Sequence, residues 1–150
     1  MDEVVVEVSA GDGVAPPVDV GRIEAAVRHV LREEGVQVAE ISVALVGDEA
    51  IAALNEEYLS HAGPTDVISF HLHGEGEPPL GDVYVGVQQA ARQAAGFGAP
   101  VAEEVLRLAV HGTLHVLGWD HPQGEERAGS EMFLRQEALL QAFLSGGEGA

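Results

Sequence analysis

The sequence contains no cysteine and no lysine among its 150 residues. Without cysteine no disulfide can form, and any transition metal must be held by imidazole or carboxylate rather than by thiolate. No segment approaches the roughly 20 apolar residues that cross a bilayer. The acidic start MDEVVVEV also lacks the basic residues and the apolar length of a signal peptide. We therefore expect a cytoplasmic protein with no membrane partner.

Positive charge is the scarcest property of the chain. Its 25 acidic residues face only 7 arginines, which gives a formal net charge of −18. Such a field favours solubility but repels phosphate, so taken alone it argues against a nucleic-acid partner, whose affinity normally comes from basic side chains. A GC-rich genome or a saline cytoplasm would produce the same composition without any change of function. We favour that compositional explanation.

The remaining composition, 46% hydrophobic, is typical of one globular domain, and we predict a single domain at 1–144 with a flexible tail at 145–150. Strands are predicted at 4–8, 41–46, 67–70 and 82–85. Helices are predicted from an Asp19 cap to near Gly35, from an Asp48 cap to 59, and at 87–97, 101–117 and about 125–143. An early β-α-β unit beside a hairpin-like pair indicates an α+β fold, in which a small mixed sheet of about four strands packs with about five helices.

The stretch HGTLHVLGWDH, residues 111–121, carries three histidines at the spacing of a zinc site. His111 and His115 are four residues apart, so both side chains leave the same helix face, roughly 5–6 Å apart at Cβ. Gly118 can end the helix in a left-handed turn, which lets His121 reach the same ion. The sequence therefore predicts that His111, His115 and His121 hold one zinc, or another divalent metal that imidazole binds. Three ligands leave a fourth position open, as in catalytic zinc sites.

Gly112 stands where zinc proteases carry the glutamate that deprotonates the attacking water. Glycine cannot do this, and it costs a helix about 1 kcal/mol relative to alanine, so we expect it to permit a close approach by backbone or substrate. The catalytic residue is therefore left open, with the metal-bound water itself as the reactive group. Asp120 is one candidate base, although an orienting or capping role suits it better.

The other histidines, His29, His61, His71 and His73, are expected on the surface or in loops. His71 and His73 would line a cleft if their strand ends near the metal.

At these residues the chain resembles the YbeY family of bacterial rRNA-maturation endoribonucleases. HGTLHVLGWDH resembles the family signature H-G-x-L-H-L-x-G-Y-D-H, and EMFLRQEALL resembles its closing helix. LNEEY at 54–58, PTDVISF at 64–70 and LGDVYV at 80–85 stand in the family's order and spacing. The resemblance implies a small α+β fold, a zinc on the three motif histidines and cleavage of single-stranded RNA. It also implies a role in 3′-end maturation of small-subunit rRNA and in ribosome quality control, with rRNA and the small subunit as partners.

The resemblance also supplies candidates for substrate binding. Thr65, Asp66 and Ser69 match a family segment beside the metal cleft, although Thr65 and Asp66 taken alone indicate a turn into a strand. Leu59 occupies the position where many members carry an arginine thought to contact RNA. Four of the chain's arginines, Arg92, Arg107, Arg127 and Arg135, are expected in surface ion pairs with neighbouring glutamates.

Three functions fit these features. A metal-dependent endoribonuclease ranks first, and the few basic residues predict that its RNA binding depends only weakly on salt. A zinc metalloprotease fits the ligand spacing but is opposed by Gly112. A non-catalytic ribosome-assembly factor with a structural zinc would bind ribosomal or assembly-factor proteins, whose basic surfaces suit an acidic chain.

Overall fold

The computed structural model describes residues 3–120 and 130–146. Its elements follow the order β1 (Glu3–Ala10), α1 (Val20–Glu33), β2 (Val38–Val46), α2 (Asp48–Leu59), β3 (Val67–His71), β4 (Leu80–Gly86), α3 (Val87–Phe97), α4 (Val101–Val116) and α5 (Glu131–Leu144). The predicted α+β class, with a four-stranded mixed sheet and five helices, is confirmed. Most of the predicted tail, 145–150, lies outside the described ranges, and the domain boundaries remain a prediction. No helix in those ranges is both long and apolar enough to cross a membrane.

The four strands form one sheet in the order β1-β2-β4-β3. β1, β2 and β4 run parallel, whereas β3 runs antiparallel to β4 and lies at the edge. Side chains alternate between the two faces of β2, and its residues Ala39, Ile41, Val43 and Leu45 are buried in the core. α1 and α4 contact each other, and each also contacts strands of the sheet.

α4 is the central helix of the domain, in contact with α1, α3, α5, β3 and β4. Most of its circumference is buried, as its apolar sequence predicts. Gly112 faces the sheet. A Cβ atom placed there would lie 2.5 Å from Val83 Cγ1 and 3.1 Å from Ser69 Oγ. The glycine therefore lets α4 lie close to β3 and β4. The Cβ of a glutamate at this position would point toward the sheet.

Gly112→Ala should lower the free energy of unfolding by about 1–3 kcal/mol, because overpacking outweighs the gain in helix propensity. Urea unfolding measures the change. Gly96→Ala is the matched control, since a Cβ atom added to Gly96 on α3 would enter open space, and it should stabilise the chain. Val83→Ala should remove most of the penalty of Gly112→Ala. An equal penalty in the Val83→Ala background would contradict the contact with β4.

Two predicted helix starts need correction. Asp48 does not cap α2, because the N-cap is Gly47 and Gln88 Oε1 accepts the Asp48 backbone N–H at 2.7 Å. α5 begins at Glu131 rather than near Glu125. Ser130 is its N-cap and accepts the Phe133 N–H at 3.1 Å, although residues 121–129 themselves lie outside the described ranges. The Asp19 cap of α1 is confirmed by its hydrogen bond from the Gly21 N–H at 2.9 Å.

His29 is a third correction, because it is buried rather than exposed. Only 5% of the residue is accessible, and its ring lies 5.7 Å from that of Phe143. It follows the apolar face of α1, where Ile23, Ala26 and Val30 are also buried. The helical period therefore determines its position more strongly than its polarity does.

Candidate metal centre and cleft

The end of α4 sets the position of the histidine pair. Gly118 has φ +104°, and its N–H donates to His115 O at 3.0 Å while the Trp119 N–H donates to Leu114 O at 3.0 Å. These two bonds form a Schellman motif, which requires the left-handed residue that glycine supplies without strain. The prediction that Gly118 terminates the helix is confirmed.

His111 and His115 lie together on one face of α4. Their ring centroids are 4.6 Å apart and the ring planes are nearly perpendicular. His111 is 7% exposed, and His115 is half-buried. His121 lies outside the described residues, and within those residues no group of three His, Asp or Glu side chains is arranged to hold a metal. The three-histidine site therefore stays a prediction.

The ring of His115 is oriented by a backbone carbonyl. Its Nδ1 lies 3.0 Å from Trp119 O. Because a carbonyl oxygen only accepts, Nδ1 must carry the proton and donate it. The neutral ring then has its lone pair on Nε2, which is the form in which an imidazole binds a metal.

The ring of His111 is oriented by a side chain from α5. Its Nδ1 lies 2.6 Å from Gln136 Oε1, and Gln136 Nε2 donates to Glu137 Oε2 at 2.9 Å. Since the carboxylate can only accept, the amide NH₂ faces Glu137 and the amide oxygen faces His111, whose Nδ1 therefore donates. Both histidines thus have the hydrogen bond behind the ring that is typical of metal ligands, and the two residues fit a divalent metal.

Behind Gln136 lies an ion-pair network centred on Arg107. Arg107 donates to Glu137 at 2.8 and 3.2 Å, to Glu104 at 2.9 Å and to Glu103 at 3.1 Å. Burial would raise the pKa of Glu137, but the hydrogen bonds from Arg107 and Gln136 outweigh it and hold that pKa below its ordinary value. The expected pairing of Arg107 with glutamates is confirmed, but the network is half-buried rather than on the open surface.

The other arginines also differ in part from expectation. Arg92 pairs with Asp48 rather than with a glutamate, and Arg135 pairs with Glu34. Arg127 lies outside the described residues.

A cleft of about 600 Å³ opens in front of the two histidines. It is lined by Leu59, Thr65, Asp66, Val67, Ile68, Ser69, His71, His111, His115, Gly118, Trp119 and Asp120. The substrate candidates therefore share one cleft with the metal candidates, and Leu59 lines the same cleft. His71 lines the cleft, as expected for a strand that ends near the histidines, whereas His73 lies beside it. No arginine is among the described lining residues.

The structure excludes one of the roles that the sequence suggested for Asp120. Asp120 is exposed and lines the cleft. It does not orient His111 or His115 through Nδ1, because Gln136 and the Trp119 carbonyl hold those positions. Its role as a base stays a prediction.

Sequence reasoning missed both residues that orient the histidines. Trp119 acts through its carbonyl, which any residue possesses, and Gln136 comes from a helix 25 positions away. The helical period does place Gln136 on the buried face of α5, four residues after Met132 and three before Leu139, but it does not show which group the amide contacts.

Comparison with known proteins points to one family. The family model described as Endoribonuclease YbeY matches residues 16–144. The Endoribonuclease YbeY of Bacillus licheniformis is 38% identical over 151 residues, covering 93% of this chain and 94% of the relative. That of Salinispora tropica is 41% identical over 143 residues, covering 85% and 90%. The solution structure of a Thermotoga maritima protein is 22% identical and superposes with a TM-score of 0.66 over 97% of this chain and 96% of that one, which shows a shared fold.

Proposed function

Because the chain belongs to the YbeY endoribonuclease family, we propose that it is a metal-dependent endoribonuclease that cleaves single-stranded RNA. Its role would be 3′-end maturation of small-subunit rRNA and ribosome quality control in the cytoplasm, with the small ribosomal subunit as its partner. The observation that carries the proposal is the pair of cleft histidines whose Nδ1 protons both donate away from the cleft, to Gln136 and to the Trp119 carbonyl.

One group of cleft residues would hold the metal that this reaction requires. His111, His115 and His121 would hold one zinc, and imidazole ligands also suit other divalent transition metals. When bound, the metal polarises a phosphoryl oxygen and lowers the pKa of water. Gln136 and the Trp119 carbonyl fix the ring planes and tautomers of His111 and His115, so neither ring needs to reorient when a metal ion binds.

The remaining polar groups of the cleft bind substrate and move protons. Ser69 offers a hydroxyl donor for a phosphate oxygen, and the Thr65 hydroxyl, which donates to Asp66 Oδ1 at 3.4 Å, can turn to a second one. Asp66 and Asp120 are the carboxylates of the described lining, and either can take a proton from an attacking hydroxyl, whether from water or from the RNA 2′-position.

The alternatives fit less well. A zinc protease needs a base beside the first histidine, and Gly112 faces Val83 instead of the cleft. A non-catalytic assembly factor with a structural zinc draws some support from the net charge of −18 and from a described lining without arginine, which suit basic proteins better than RNA.

Cleavage of matched RNAs tests the proposal. The zinc-loaded chain should cut a single-stranded RNA and leave the same sequence intact once it is annealed to its complement. A chelator should stop the reaction and added zinc should restore it. No cleavage by a folded, metal-replete preparation would favour the assembly factor, and chelator-sensitive hydrolysis of casein would favour the protease.

Leu59→Arg should strengthen RNA binding and steepen its salt dependence. An arginine at this exposed position on the cleft would add one phosphate contact, so the slope of log K against log salt should become more negative by about 0.7. Leu59→Gln is the control, because it adds polarity without charge. Fluorescence anisotropy between about 50 and 200 mM salt measures both slopes. An unchanged slope in Leu59→Arg would show that RNA does not pass position 59.

A further inference from the structure

The cleft poses a problem for an RNA-cutting enzyme, because its described lining carries two carboxylates and no arginine. Arg28, Arg92, Arg107 and Arg135 are all engaged with carboxylates elsewhere. A metal alone neutralises charge at one point of a strand. Among the described lining residues, the groups that can contact the rest of the strand without repelling it are neutral.

The open edge of β3 supplies such groups. The Gly86 N–H donates to Asp66 O and the Leu72 N–H donates to Leu80 O, both at 2.8 Å, so the even-numbered residues of this strand make the ladder bonds to β4. In an antiparallel pair the alternate residues turn their N–H and C=O groups the other way. The odd-numbered residues Val67, Ser69 and His71 therefore direct their backbone groups to the free edge, and all three line the cleft.

Spacing and chemistry both suit one strand of RNA. Alternate residues of a strand are about 6.4–6.8 Å apart, which is comparable to the distance between successive phosphates in an extended single strand. Outward N–H groups can donate to phosphate oxygens, and outward carbonyls can accept from the 2′-hydroxyls that distinguish RNA from DNA. Within the described chain, no hydrogen bond uses these outward groups of Val67, Ser69 or His71.

An aromatic stack stands at the end of this edge. The rings of His71 and His73 are stacked, with centroids 3.8 Å apart and planes within 16° of parallel. His73 is anchored, because its Nδ1 accepts the Leu80 backbone N–H at 3.0 Å. His71 is exposed and lines the cleft, so it presents an aromatic surface beside the metal candidates.

We propose that the β3 edge and the His71 ring form a neutral track for single-stranded RNA, in which the backbone N–H groups of Val67, Ser69 and His71 bind the sugar-phosphate chain and one base stacks on His71. The track rests on the proposed nuclease function and deepens it. A base must be unpaired to stack on a protein ring, so this contact would itself select single strands. It also agrees with the prediction that RNA binding depends only weakly on salt.

Substitutions that separate the ring from the backbone test the track. His71→Ala should raise KM for a single-stranded RNA about 5- to 160-fold, the range that base–aromatic stacking contributes, and should leave kcat unchanged. His71→Phe should recover most of it, and a 2-aminopurine in the RNA should be quenched by wild type and His71→Phe but not by His71→Ala. Val67→Pro removes an outward N–H without breaking a ladder bond, so its KM should exceed that of Val67→Ala about 3- to 10-fold.

The results that would contradict the track differ from those that would contradict the nuclease proposal. Unchanged KM in His71→Ala and Val67→Pro, with an active wild type, would overturn the track and leave the nuclease proposal intact. Loss of zinc from His71→Ala would make His71 a metal ligand, and failure of His71→Phe to recover affinity would exclude stacking. If the wild type does not cleave RNA, the nuclease proposal fails, and the affinities of the same four variants for that RNA still decide whether the track exists. Urea midpoints check that each variant is folded.

Discussion

Arg107→Met is expected to lower the free energy of unfolding by about 2–4 kcal/mol, below the roughly 3–5 kcal/mol for a fully buried ion pair because this network is only half-buried. Arg107 is 20% exposed and bonds three carboxylates, of which Glu104 is only 4% exposed. Methionine keeps much of the side-chain volume but leaves Glu103, Glu104 and Glu137 facing one another without a cation. The free energy of unfolding of a typical domain is only about 5–15 kcal/mol, so this loss would be a large fraction of it.

Arg28→Met is the matched control for this change. Arg28 pairs with Glu24 on the surface of α1, where the two side chains are 40% and 41% exposed. Such pairs contribute about 0–1 kcal/mol, and the hydrogen bond from Arg28 Nη1 to Val4 O at 3.2 Å adds about 1 kcal/mol. Urea unfolding of both variants at neutral pH measures the difference. Equal losses in Arg107→Met and Arg28→Met would contradict the view that the Arg107 network holds α4 and α5 together.

The Arg107 network should also make the free energy of unfolding depend on pH in the acid range. Because Glu137 has a folded-state pKa below its ordinary 4.5, its ionised form stabilises the folded chain at neutral pH. That contribution is complete above the unfolded-state pKa and is lost as the pH falls below 4.5 and through the lowered folded-state pKa. In Arg107→Met the contribution should be absent, so the wild type should lose more stability than the variant over this range.

Gln136→Met is expected to weaken metal affinity about 10- to 100-fold, the usual effect of removing the partner that orients a ligand histidine. The Nδ1–H of His111 would lose its acceptor in a buried position, and the ring would lose the bond that fixes its plane and tautomer. Competition with a chromogenic chelator measures the affinity for zinc.

Gln141→Met serves as the control, since Gln141 is exposed on the same helix. It should leave zinc affinity unchanged. Wild-type affinity in a folded Gln136→Met would show that the bond to His111 does not serve a metal. An equal loss in both variants would assign the effect to α5 rather than to the hydrogen bond.

Features set by short-range geometry could be predicted from the sequence. The i, i+4 spacing of His111 and His115 fixes their common face, and Gly118 is suited to the left-handed turn that follows. The resemblance of PTDVISF to the family predicted that Thr65, Asp66 and Ser69 lie beside the metal candidates, and all three line the same cleft as His111 and His115.

Features set by distant contacts could not be predicted. Gln136 reaches His111 from 25 residues away, and Gln88 takes the Asp48 N–H from 40 residues away. His29 is buried because α1 turns its apolar face to Phe143 on α5. The order β1-β2-β4-β3 leaves β3 at the edge beside the cleft, and no local pattern in PTDVISF indicates that position.

Metal content and RNA cleavage, measured on the same preparations of wild type and His115→Ala, test the central claim most directly. His61→Ala is the matched control, because His61 is exposed and is not among the cleft residues. We expect one zinc per chain and cleavage of single-stranded RNA in the wild type and in His61→Ala, with both lost together in His115→Ala. Full cleavage by a His115→Ala preparation that holds no metal would contradict a metal-dependent nuclease built on this histidine pair.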